Sequence, residues 1–170
     1  MKRTHQASLL LPILLLISPG LGSASPGVQN ESEMLIRTVS LLEEKPFDKE
    51  VNKMREAALK WLIQTDKVSV TVCSMMISQI EEKYKYKSDI FTQYTLGMAA
   101  FKLNNPDKAL DEAAAQLGGI ESALRFYEAV GKEKPKTKSA FMDELLARRA
   151  AGSLSAYVAA SNCKEQKESK

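Results

Sequence analysis

Asp107 to Val130, DKALDEAAAQLGGIESALRFYEAV, carries apolar residues at Leu110, Ala113, Leu117, Ile120, Leu124 and Tyr127. The steps alternate between three and four, which keeps one stripe on one face of a helix. The phase survives Gly118 and Gly119, so the spacing predicts one continuous helix rather than two joined by a Gly-Gly turn. The glycines fall beside the stripe, next to Leu117 and Ile120, where the missing side chains allow a neighbouring helix to approach. Asn104-Asn105-Pro106 is a short turn, and short turns join antiparallel partners. The expected neighbour is therefore the preceding segment, with Ser88 as its cap and Phe91, Tyr94, Met98 and Phe101 on its inner face.

Towards the C-terminus, Gly131 to Lys138 (GKEKPKTK) is expected to be a loop with Gly131 ending the long helix. Ser139 can cap a helix bearing Phe141, Leu145 and Arg148. Gly152 breaks that helix, and Leu154 to Ala160 forms a last short one. Towards the N-terminus, Ser32 suits a cap before Leu35, Ile36, Val39 and Leu42, and Lys45-Pro46 stops this helix. Asp48 can cap a helix with Val51, Met54, Ala58 and Trp61 on one face, Trp61 being a core anchor. Lys67 to Cys73 (KVSVTVC) alternates like a strand, but no second segment offers a pairing partner. Val68, Val72, Met75, Met76 and Ile80 also share one helical face, so a helix is expected there, with Cys73 on it. Glu81 to Lys87 (EEKYKYK) is a charged, aromatic loop.

The chain has 170 residues. It opens with Lys2 and Arg3, continues with the apolar run Leu9 to Ile17, and reaches small residues at Ser23-Ala24. That order describes a secretory signal peptide. The run contains Pro12 and is far short of the ~20 residues of a spanning helix. Cleavage before Ser25 removes Lys2, Arg3 and the only histidine, His5, and lowers the formal charge from +3 to +1. No net field of one sign remains to suggest nucleic acid. Residues 25–32 are expected to be a flexible lead, residues 33–163 one helical domain, and residues 164–170 a disordered tail. Asn30-Glu31-Ser32 fits the acceptor pattern for N-glycosylation, relevant only in a eukaryotic secretory pathway.

Cys73 and Cys163 are the two cysteines. An even count in an exported chain favours a disulfide. Such a bridge would close a loop of about 90 residues, worth ~4 kcal/mol on the chain-entropy model.

Leu96-Gly97, Asn104-Asn105-Pro106-Asp107 and Ala109 together resemble part of a tetratricopeptide (TPR) helical hairpin, in which a Gly lets two helices approach and a small Ala packs opposite. The likeness covers about a fifth of the chain after residue 24 and has no second copy, whereas stacked repeats need about three. Gln93 stands where that family has a large aromatic residue, and Ala113 where it has a large side chain after the Ala. The chain as a whole resembles small exported bacterial helical proteins of uncharacterised function, a resemblance that implies no site.

The chemistry is mostly one of exclusion. Without His5 there is no Ser-His-Asp or Cys-His catalysis and no His-based zinc site. Two cysteines 90 residues apart cannot form a structural zinc or iron–sulfur centre. Gly118-Gly119 matches neither nucleotide-binding fingerprint. Ser161-Asn162-Cys163-Lys164 has the Ser-x-x-Lys spacing of penicillin-binding enzymes without their other motifs. The methionines form no Met-x-x-Met cluster for Cu(I), and no cofactor is implied.

Two constellations remain. Lys83, Tyr84, Lys85, Tyr86 and Lys87 interleave cations with rings, which suits an anionic partner; alternatively, the tyrosines lean on the core. Glu112, Glu121, Asp143 and Glu144 could serve glycosidase chemistry, which needs two carboxyls across a cleft; alternatively, they are solvated helix charges. The expectation is an all-α, single irregular domain of about six or seven helices around a long central helix, with a TPR-like hairpin within it. It is expected to be an exported, periplasmic or extracellular accessory protein that acts by binding, its partner another protein of the envelope. The alternative is a carboxylate-dependent enzyme acting on cell-wall glycan.

Overall fold

A computed structural model describes residues 26–73 and 78–161, with side chains from residue 31 onward. The stretches expected to be a signal peptide and a tail, and Cys163, lie outside the described residues. The helices are α1 (Pro26–Glu44), α2 (Lys49–Gln64), α3 (Lys87–Asn104), α4 (Glu112–Glu133), α5 (Ala140–Ala150) and α6 (Leu154–Ala160), with a 3-10 turn at Pro106–Lys108. No strand occurs among the described residues, and the fold is all-α.

The central element is the antiparallel pair α3–α4. Gly118 and Gly119 lie within an unbroken α4, as the phase of the stripe predicts. A Cβ on Gly119 would fall 2.5 Å from Met98 Cγ and 2.7 Å from the Tyr94 carbonyl oxygen. One on Gly97 would fall 2.6 Å from Ser122 Cβ and 3.2 Å from Gly119 Cα. The glycines therefore let the two helices approach almost backbone to backbone.

The helix is shorter at its start than its spacing suggests. Pro106–Lys108 turns first, Asp111 accepts from the Ala114 N–H at 3.0 Å, and α4 begins at Glu112. An Asp side chain satisfies an orphan N–H of the first turn, and that cap outcompetes one more apolar repeat. Leu110 is left 96% exposed, outside the stripe. Ala109 also falls in this turn; Ser122 and Gly119 take the place opposite Gly97 expected for it. At the other end α4 passes Gly131 and stops at Glu133, before Lys134-Pro135.

Three further expectations are corrected. The supposed flexible lead is helical from Pro26, six residues before Ser32, in keeping with proline's fitness for a first helical turn. Helix α3 starts at Lys87, one residue before the expected cap Ser88, with Phe91 turned outward at 39% exposure. Around Phe91, α3 buries Ile90, Gln93, Tyr94, Leu96, Gly97, Met98, Ala99, Ala100 and Lys102, so it has no single inner stripe. Trp61 is a half-buried edge residue whose indole N–H donates to Glu31 Oε2 at 3.0 Å. Elsewhere Asp48 and Ser139 cap α2 and α5 as expected, and Gly152 (φ +69°) ends α5 in the left-handed region that favours glycine.

Residues 66–73 are not helical; they form an extended strap across α3 and α4. The strap lacks a second strand, and buried side chains bond its backbone instead. Lys102 Nζ donates to the Ser69 carbonyl at 2.9 Å, and Gln116 Nε2 to the Thr71 carbonyl at 2.6 Å. The Cys73 N–H donates to Tyr94 Oη at 3.3 Å, and Tyr94 donates onward to Gln116 Oε1. Lys102 also pairs with Glu112 Oε1 at 2.5 Å. Backbone groups removed from water need partners, and these polar side chains on otherwise apolar faces supply them. Burial is the first cause that pushes the Tyr94 phenol up to about 12, so it stays a neutral donor.

Candidate partner-binding face

The loop before α3 begins with an anchor. Glu81 accepts from Ser139 Oγ at 2.5 Å and from the Ala140 N–H at 2.6 Å, which fastens the loop to the first turn of α5. The Ser139 hydrogen bond, with further backbone N–H donors, holds the Glu81 carboxyl below the usual carboxylate range. Carboxylates are favoured at a helix N-terminus for this reason.

Tyr84 and Tyr86 are 6% and 7% exposed. Their rings lean on the core: Tyr84 packs edge-on to Tyr127 with centroids 6.0 Å apart, and Tyr86 tilts against Phe47 at 5.3 Å. Burial pushes the Tyr84 phenol up well beyond its ordinary value. The tyrosines therefore cannot present open ring faces to a partner. Lys83 and Lys85 remain exposed, with Lys85 Nζ 5.5 Å from the Tyr86 centroid. Lys87 pairs with the exposed Glu82 at 2.5 Å, a contact that contributes little in water.

Beside the loop lies an open groove of about 490 Å³, lined by Tyr84, Lys85, Lys87, Ser88 and Phe91. The flank of Tyr84 and the exposed Phe91 make its walls apolar, and the two lysines make its rim cationic. Helical spacing alone places Phe91 on the inner face, whereas the structure turns it outward. Its phase among the polar residues Ser88, Thr92 and Thr95 is the sequence signal for an outward position.

A second cleft of about 320 Å³ lies between α1, α3 and α4 and contains Glu43, Glu121 and Arg125. Glu43 accepts from Arg125 Nε at 2.6 Å, from Arg125 Nη2 at 3.0 Å and from Ser122 Oγ at 2.6 Å. Its hydrogen bond is the first cause raising the Arg125 guanidinium above its ordinary value. Glu121 sits 4.0 Å from Arg125 and 3.7 Å from Arg149. Glycosidase carboxyls must face a substrate across open space; these two face guanidinium groups. The other acids singled out by sequence are engaged as well. Glu112 holds Lys102, Asp143 accepts from Tyr127 Oη at 2.8 Å, and Glu144 pairs with Arg148 at 2.6 Å.

No cluster of His, Cys, Asp and Glu suited to a metal ion occurs among the described residues. No helix among them is long and apolar enough to cross a membrane. No family model, curated protein or solved structure matches the chain, so the face is argued from its own chemistry.

Proposed function

We propose that this is an exported helical accessory protein that acts by binding, with another protein of the envelope as its partner. The observation that carries the reading is the groove around Phe91: a large apolar side chain 39% exposed between Lys85 and Lys87. An apolar anchor on the partner would fill the groove, and acidic groups would meet its rim. The engagement of Glu43, Glu112, Glu121, Asp143 and Glu144 weighs against glycan cleavage. In capture from envelope extract, a partner retained by the wild type should be lost with K83A/K85A/K87A and with F91A. Retention by both variants with unchanged salt dependence would refute the groove.

The Cys73–Cys163 bridge belongs to the same proposal. Cys73 is buried at the end of the strap. Tyr157 Oη in α6 reaches Gln79 Oε1 at 3.5 Å, which brings the segment before Cys163 near the segment after Cys73. Alkylation that labels both cysteines without prior reduction would exclude the bridge.

A further inference from the structure

Three loops that are remote in sequence meet at one end of the molecule. Phe47, between α1 and α2, packs tilted against Tyr86. Lys134, between α4 and α5, lies with Nζ 5.5 Å from the Phe47 ring centroid, and Lys85 stands at the same distance over Tyr86. Ser139, where the α4–α5 loop ends, is tied to Glu81 at the start of the third loop. Around this joint stand Lys45, Lys83, Lys85, Lys132, Lys134, Lys136 and Lys138, all exposed. None of these seven has a carboxylate within salt-bridge distance among the described residues.

The nearby acids offset only part of this charge: Glu81, Asp48 and Asp143 accept from neutral N–H and O–H donors and keep their own charge, and Lys45 acts on Asp48 through space. Glu81 is engaged with the N-terminus of α5 and Asp48 with that of α2. Glu82 is paired with Lys87, Asp89 with Arg55, and Asp143 with Tyr127. Glu44, Asp48, Glu81, Glu82 and Glu133 all stand exposed beside the lysines, and with Glu82 held by Lys87 the seven lysines still outnumber the acids Glu44, Asp48, Glu81, Glu133 and Asp143. The small net charge of the chain after residue 24 therefore hides a polarised distribution.

We infer that this lysine pole docks on an anionic phospholipid surface, an inference that rests on the reading of an exported binding protein only in placing a bilayer within reach. The lysines are compact, mobile point charges with no arginine fork among them, which suits a diffuse sheet of headgroup phosphates rather than one fixed oxyanion. All but Lys132, which is in the last turn of α4, stand on loops around a joint instead of lining a channel. The rings beneath them are packed on one another and on the core, so no open platform exists for stacking nucleobases. The protein would rest on the bilayer by its pole, with the groove beside it turned to a partner held in the same membrane.

The test is co-sedimentation of the full chain beginning at Ser25 with phosphatidylglycerol/phosphatidylcholine vesicles and with phosphatidylcholine vesicles. Binding should require the anionic lipid and weaken with salt. Each lysine near such a surface is worth roughly a fivefold change in partition. K132A/K134A/K136A/K138A, which leaves the groove intact, should therefore lower binding by at least about a hundredfold. K53A/K60A/K67A/K108A, the same charge change away from the pole, should lower it far less. Equal binding to both vesicles, equal loss in both variants, or no binding at low salt would overturn the inference. So would poly-glutamate binding as tightly as the vesicles, since it would point to an acidic protein instead. Loss of vesicle binding with retained partner capture by the first variant separates this inference from the groove; the same loss of vesicle binding, with partner capture unaffected by F91A, would leave the pole standing and remove the groove.

Discussion

The α3–α4 seam and the lysine pole follow opposite rules. In the seam the groups are closely fitted: Gly119 lies under Met98, Gly97 against Ser122, and Tyr94 between Cys73 and Gln116. At the pole seven lysines stand without a salt-bridged acid among the described residues, as do Arg37, Lys49, Lys60 and Lys108 outside that set; what sets the pole apart is that three loops bring its lysines together. Surface charges contribute little to folding, so an unpaired cluster costs little stability and leaves a field available to a partner. The difference teaches where substitutions should be felt: in stability at the seam, and in binding at the pole and groove.

The seam can be broken with one methyl group. Gly119→Ala gains up to ~1 kcal/mol of helix propensity but pushes Cβ into Met98 and the Tyr94 carbonyl. Overpacking of this kind costs about 1–3 kcal/mol, so the urea midpoint should fall. Gly131→Ala sharpens the contrast. Nothing lies within 4 Å of its added Cβ, and the midpoint should rise by up to ~1 kcal/mol. A rise for both would mean that the seam is not tight.

Tyr94→Phe removes the acceptor of the Cys73 N–H and the donor to Gln116, leaving buried polar groups unpartnered. A loss of about 1–3 kcal/mol is expected. Faster hydrogen exchange at Cys73 than in α4 would show that the strap loosens first.

A smaller effect lies where the two regions meet. The folded Glu81 carboxyl is depressed, so its stabilisation is present above the unfolded value and is lost as pH falls through the folded one. Glu81→Gln should lower stability at neutral pH by about 0.5 kcal/mol, discounted because the group is exposed. The difference from wild type should vanish in acid. A difference that persists at low pH would mean that the lost charge is not its cause.

The sequence disclosed the seam better than the pole. An apolar phase and two small residues report helix continuity directly, because the period of a helix is local. The start of α4 was hidden because the apolar repeat runs past Asp111, and only the cap decides. The strap was hidden for a different reason. Its alternation was visible, but its partners are Lys102, Gln116 and Tyr94, scattered over two helices, and no local rule announces a lysine that bonds a distant carbonyl. Lys83 to Lys87 could be picked out, and so could the inward packing of its tyrosines, which the apolar body of a tyrosine ring favours. Convergence of Lys45 and Lys132 to Lys138 on that loop depends on the Phe47–Tyr86 contact, which is tertiary.

The most direct test measures both properties on one protein. K83A/K85A combined with F91A should lose the captured partner and unfold within about 1 kcal/mol of the wild type, because Lys83 and Lys85 are exposed and Phe91 is exposed in part. A midpoint lowered by more than about 1 kcal/mol with partner capture unchanged would contradict the account, because the face assigned to binding would then belong to the fold.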